Sequence, residues 1–323
     1  MKTKLIIIAI ILLGIGGFGF FYFKEGTLPV NRDTKNAPID FVVEKGEGLN
    51  SIIRKLENES LIRNRLVFYI VVKQLGIERN IQAGTFKLSS SLDAYELAES
   101  LTRGTEDIWI KVVEGLRKEE VAEVVAKELS IDKKEFIAQS QEGYLFPDTY
   151  LVPKSATAID VIKLMRDNFN SKYTQEMRTK GKQTGLKDTQ IITLASLVER
   201  EGRTPEDRQE VANIMLKRIK NEWPLQVDAT IQYALGYQPR EQKWWKTYLS
   251  IEDLALDSPY NSYKNTTLPP HPICNPSFVS IQSVVNATGE TKNWYYLSEP
   301  GTGKTYFSET LEQHDAKAEK YLK

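Results

Sequence analysis

The chain has 323 residues, and its 43 lysines plus arginines balance 43 aspartates plus glutamates, so no global field draws it toward nucleic acid. A single cysteine, Cys274, excludes an intramolecular disulfide, and with only two histidines the usual zinc-ligand spacings cannot be met. The length allows two domains, each with its own core.

From the N-terminus, Leu5 to Phe23 reads LIIIAIILLGIGGFGFFYF, nineteen residues without a charge, preceded by Lys2 and Lys4 and followed by Lys24. That length spans a bilayer core as a helix. A cleaved signal would have a shorter apolar region ending in a small-x-small site, whereas Phe, Tyr and Lys follow here, so an uncleaved anchor is expected. With the lysines on the N-terminal side, the body after Lys24 is expected outside the cytoplasm. Residues 25–38 then read as a polar, proline-marked spacer.

Order is expected from Ile39. The stretch 39–62 reads as a strand, a glycine turn and a helix carrying Leu49, Ile52, Ile53 and Leu56 at helical spacing. A second helix is expected over Arg65 to Leu75. Strand, turn and helix recur with Thr85 to Leu88 extended and Ala94 to Thr102 helical, and again over residues 107–129 around a Glu114-Gly115 turn. After the loop EGYLFPDTYLVPKS the chain becomes mainly helical. Helices are expected over Asp160 to Lys172, from a capping Asp188 to about Glu201, and from Pro205 in a first turn to Asn221. A loop-rich segment, 224–277, precedes a short helix, a strand WYYLSE, a glycine turn, a strand at Thr305 to Phe307 and a terminal helix.

The glycine turn, Gly301-Thr-Gly-Lys-Thr305, looks like a phosphate-binding loop. That motif requires a glycine six residues before its lysine, where this chain has Ser298, and a helix directly after it, where TYFSET reads as a strand. A hairpin turn is expected instead, with no nucleotide.

Chemistry is most legible in the helix DTQIITLASLVEREG. At 100° per residue Glu199 falls between Ile192 and Ala195 on a broad apolar arc, and Glu201 between Leu194 and Leu197 on its other side. A carboxyl among apolar neighbours has a raised pKa and can serve as a general acid near neutrality. Periodicity does not choose between the two, and pairing with Arg200, Arg203 or Arg208 is the plainer role for either.

LASLVEREG, VANIMLKRI, LQVDATIQYALG, SPYNSY, LPPHPICNPS and EGYLFPDTY together resemble the YceG-like endolytic murein transglycosylases over nearly all of residues 39–323. The resemblance implies lytic cleavage of the MurNAc to GlcNAc β-1,4 bond of peptidoglycan, with the glutamate in the ASxVE position, Glu199, as general acid and base, 1,6-anhydroMurNAc ends as product, and no cofactor. It implies Gln226, Asp228, Tyr260, Asn261 and Tyr263 as substrate-binding residues and LPPHPICNP as a rigid wall of the cleft. The chain departs from the family pattern at Thr267 and His271, where glycines are usual, and at Thr305, where a histidine is usual. Residues 41–56 are similar to the LysM pattern, with Glu47-Gly48 in place of its Asp-Thr.

The expected fold class is therefore α+β. It comprises a stub and transmembrane helix (1–24), a linker (25–38), a small LysM-like α+β domain (39–105) and a mixed helical and short-strand catalytic domain (106–323). Glycan strands and, by family analogy, penicillin-binding peptidoglycan synthases are the expected partners at the cytoplasmic membrane. A non-catalytic, membrane-anchored peptidoglycan-binding protein is the alternative.

Overall fold

A computed structural model describes residues 2–31, 37–103, 107–154 and 156–322; no side chain of the first fifteen residues is among those described. The chain forms two compact units, Met1–Trp109 with Leu151–Lys154, and Ile110–Tyr150 with Ser155–Lys323.

The first unit runs α1 (Lys2–Thr27), β1 (Ile39–Val43), α2 (Leu49–Asn58), α3 (Arg65–Leu75), β2 (Gly84–Leu88) and α4 (Ala94–Ser100). Strands β1 and β2 pair antiparallel with Phe41 opposite Phe86. Those rings, with Leu56, Phe68, Val72 and Leu97, form a closed core. Asn64 caps α3 by accepting from the N–H groups of Leu66 and Val67, and Gly76 in the left-handed region ends it. The backbone of α1 is helical across the expected anchor. Most side chains of that apolar run lie outside the described residues, and among the described residues no helix is long and apolar enough to cross a membrane. Part of the expected spacer, 32–36, also lies outside them.

Strand β3 (Asp107–Lys111) pairs with β4 (Thr149–Pro153). The second unit places α5 (Lys118–Glu128) and α6 (Lys133–Gln139) before β4, then α7 (Ala158–Lys172), α8 (Gln175–Gly181) and α9 (Asp188–Glu201). After these come α10 (Pro205–Lys220), α11 (Asp228–Leu235), α12 (Ile251–Leu254) and α13 (Phe278–Val285). The chain finishes with β5 (Tyr295–Ser298), β6 (Thr305–Ser308) and α14 (Leu311–Tyr321).

Helix α9 is the axis of this unit: every residue from Ile191 to Val198 is buried, because α10, α11 and α13 pack around it. Lys187 rather than Asp188 stands at its N-cap. Asp188 lies in the first turn, where its carboxylate accepts from the Tyr173 hydroxyl at 2.8 Å and pairs with Arg178. Thr204 caps α10, and Pro205 occupies its first turn, which needs no N–H from that residue. The segment expected to be loop-rich contains α11 and α12, short helices whose few apolar residues give a weak periodic signal.

The glycine turn joins β5 to β6 as an antiparallel hairpin, with Ser298 opposite Thr305. The Glu299 N–H donates to the Lys304 carbonyl at 2.9 Å, and Gly301 and Gly303 adopt φ of 83° and 69°. A strand, β6, follows the turn directly and α14 begins only after it, so the turn does not run into a helix N-terminus as a phosphate-binding loop does.

Candidate active site

Glu199 and Glu201, two residues apart near the end of α9, meet different surroundings. The Glu199 side chain is 4% exposed and fully engaged. Its Oε1 accepts from Arg208 Nη2 at 2.7 Å, and its Oε2 accepts from the Ser277 N–H and the Ser280 hydroxyl, each at 2.8 Å. Ser277 is the N-cap of α13, so this carboxylate closes that helix's start while Arg208 ties it to α10. This carboxylate therefore ties α9 to α10 and to the start of α13.

Glu201 lines a cavity of about 540 Å³ with Arg218, Gln226, Asp228, Tyr263, Tyr295, Tyr296 and His314. Its pKa is pushed up to about 7, first by burial and next by the charge of Asp228; a hydrogen bond from Tyr296 and the charges of Arg200 and Arg218 oppose that rise. Asp228 opens α11 and accepts from the Tyr263 hydroxyl. Arg218 donates to the Trp294 carbonyl from Nε at 3.0 Å and Nη2 at 2.6 Å, and to the Leu225 carbonyl from Nη1 at 2.6 Å. Its guanidinium is thus held by main-chain oxygens rather than by a carboxylate, and it joins α10 to the strand and turn that wall the cavity.

Glu142 shows why a raised pKa alone does not define the acid. Its carboxyl is pushed up to about 8 by burial, yet it does not line this cavity. It accepts from the Lys118 N–H at 3.1 and 3.2 Å and from Asn275 Nδ2 at 3.3 Å. That is a buried joint between α5 and the EGYLFPDTY element.

Of the substrate-binding residues expected from sequence, Gln226, Asp228 and Tyr263 come together with Glu201. Tyr260 and Asn261 do not. The Tyr260 ring packs 5.0 Å from that of Tyr233 against the core. Asn261 is wholly buried; its amide donates to the Leu254 and Leu256 carbonyls, and its oxygen accepts from the Tyr263 N–H, so it shapes the turn that presents Tyr263. The proline-rich segment 268–276 does not line the cavity either. Ile273 and Cys274 enter the core, and Asn275 bonds Leu116 and Leu145. Arg218, Tyr295, Tyr296 and His314 were not singled out in the sequence. The adjacent tyrosines of β5 carried the one usable signal, an aromatic pair on a short strand beside a turn. Among the described residues no group of three or more His, Cys, Asp or Glu side chains is placed to hold a metal ion.

A carboxyl with its pKa raised toward neutrality, on the wall of an aromatic-lined cavity beside a fixed guanidinium and an aspartate, has the chemistry that general acid–base work requires. The YceG-like family model matches residues 41–320, and the chain belongs to that family. It is 30% identical to the endolytic murein transglycosylase of Bacillus subtilis strain 168, across 95% of this chain and 91% of that protein. It is 28% identical to the protein of the same name from Streptococcus pneumoniae D39, across 94% of this chain and 62% of that longer protein. A crystal structure of a YceG-like protein from Listeria monocytogenes is similar with a TM-score of 0.57 at 27% identity, covering 86% of this chain and 98% of that one.

Proposed function

We propose that this chain is an endolytic lytic transglycosylase that cleaves the MurNAc to GlcNAc β-1,4 bond of peptidoglycan, with Glu201 as its general acid and base. The observation that carries the reading is the Glu201 carboxyl, raised to about 7 on the wall of the cavity it shares with Asp228, Gln226 and Tyr263. Glu199, in the position the family resemblance pointed to, is spent on Arg208, Ser277 and Ser280.

In this mechanism protonated Glu201 gives its proton to the glycosidic oxygen as the C1–O bond breaks. The positive charge developing at C1 is favoured by the nearby Asp228 carboxylate, and by Glu201 itself once ionised. Glu201 then takes the proton of the C6 hydroxyl of the same sugar, whose oxygen bonds to C1 and closes the 1,6-anhydro ring. The nucleophile is intramolecular, so no water needs to be held and a second catalytic carboxylate is not required. Tyr263 offers a ring face to a pyranose.

The N-terminal apolar run is proposed to anchor the chain in the cytoplasmic membrane as a single span, with the chain after Lys24 outside the cytoplasm. The LysM-like stretch is proposed to hold glycan, and penicillin-binding synthases are the proposed partners. Nascent strands near the membrane are then the natural substrate.

The test is mass spectrometry of purified sacculi digested with wild type, Glu201→Gln and Glu199→Gln proteins. Wild type is expected to release 1,6-anhydroMurNAc ends, Glu201→Gln to lose at least about 10³-fold in rate, and folded Glu199→Gln to keep the product. Anhydro ends from Glu201→Gln at the wild-type rate refute the assignment.

A further inference from the structure

Four buried side-chain polar atoms lack a hydrogen-bond partner among the described residues, and three of them, Thr305 Oγ1, Ser308 Oγ and His314 Nδ1, belong to the C-terminal hairpin and helix. Thr305 and Ser308 do not line the cavity. His314 does, together with Glu201 and Asp228.

The other ionisable groups of the cleft are engaged by the protein. Glu201 bonds Tyr296, Asp228 accepts from Tyr263, and Arg218 donates to two carbonyls. The His314 ring is fixed without a polar contact, stacked on Tyr295 at 5.3 Å between centroids with 26° between planes. A stacked ring is held in one orientation while its hydrogen-bonding capacity is not spent on a protein partner. Burial above all, with Arg218 and Lys317 adding to it, keeps its pKa below the ordinary histidine value against the opposing charge of Asp315. The imidazole is therefore neutral at pH 7 and presents one donor and one acceptor. A buried polar atom left without a partner is costly, and such atoms are retained where a ligand satisfies them.

We propose that His314 is a substrate-contact residue of this cleft, hydrogen-bonding a hydroxyl or acetamido group of the bound amino sugar through its imidazole, which lines the cavity and has no partner within the protein among the described residues. The proposal rests on the reading of this cavity as the glycan cleft. The contact is made to a sugar already seated, in both ground and transition states, so it acts on affinity more than on turnover.

The chain has two histidines, His271 and His314, so ¹⁵N-histidine labelling gives two imidazole spin systems to resolve. The measurement uses the full chain in detergent micelles, carrying Glu201→Gln, titrated with a GlcNAc-MurNAc tetrasaccharide. One imidazole is expected to shift on binding, and that signal is absent when His314→Gln is added. Steady-state rates on sacculi, in the otherwise wild-type chain, supply the second readout. His314→Phe, which keeps the stack on Tyr295 and loses the nitrogens, is expected to raise KM about 10-fold with kcat within about 3-fold. His314→Gln, which keeps a donor and acceptor, is expected to recover part of that loss. Overturning results are a titration that moves neither imidazole or only His271, or a His314→Phe enzyme with wild-type KM. If Glu201→Gln stays active while the His314 signal shifts, the acid assignment fails and the sugar contact stands.

Discussion

Replacing Glu201 by glutamine removes a carboxyl whose ionisation the fold resists, so the substitution should stabilise the protein at alkaline pH. The carboxyl rises from 4.5 to about 7, and at about 1.4 kcal/mol per pH unit this disfavours the folded, ionised form by roughly 3 kcal/mol. The stabilisation associated with the protonated carboxyl is fully present below pH 4.5 and is lost as pH rises through about 7. Wild type therefore falls by roughly 3 kcal/mol, relative to Glu201→Gln, between about pH 4.5 and pH 8. In a domain of this size that is a difference of about 6–12 °C in Tm. Scanning calorimetry of both proteins across that range reads it directly, with activity lost in the variant at every pH. If the Tm gap between the two proteins stays constant with pH, Glu201 does not titrate in the way its surroundings require, and the argument for it as the acid fails.

Three further outcomes follow from the same geometry. Glu199→Gln leaves Arg208 without its carboxylate in a buried site and should cost about 3 kcal/mol in denaturant unfolding, while kcat of the folded fraction stays within a few-fold of wild type. Arg218→Met removes donors to two buried carbonyls and the cation beside Glu201; urea unfolding should show a loss of about 2–4 kcal/mol, and the alkaline limb of kcat/KM should move to higher pH because a charge that lowers the Glu201 pKa is gone. Asn261→Ala strands the carbonyls of Leu254 and Leu256 and frees the turn before Tyr263, so it should cost about 2 kcal/mol and raise KM; an unchanged KM would mean that Tyr263 needs no such support.

How far the sequence carried differs between the helices and the cleft. Helices α3 and α10 announce themselves because their caps and apolar spacing are local, Asn64 and Gly76 bracketing one and Thr204 with Pro205 opening the other, while α9 shows by its apolar spacing and not by the cap expected at Asp188. The choice between Glu199 and Glu201 is not local. On a helix buried all round, both carboxyls sit beside apolar residues, and what separates them arrives from elsewhere in the chain. Ser277 and Ser280 come to Glu199 from nearly eighty residues downstream, and Asp228 and Tyr296 come to Glu201. Tyr260 and Asn261 show the converse. SPYNSY has the composition of a sugar-binding turn, but a tight turn can show only some of its side chains to one cleft, and Asn261 is consumed by the turn's own carbonyls. The proposed anhydro-forming mechanism comes from family resemblance alone, since one glutamate on a helix specifies no leaving group.

Gln226 adopts φ of 54°, in the left-handed region, and its N–H donates to the Ser262 carbonyl at 3.0 Å. For a residue with a Cβ that conformation costs on the order of 1 kcal/mol or more, and glycine would relieve it. The chain keeps an amide-bearing residue two positions before Asp228 and bears the strain when it folds. The kink is thus part of the folded chain, and under the proposed function a glycan would meet this turn already formed. At this one position a measure of thermal resilience is given up, and an amide side chain on the cavity wall is what the chain has in its place.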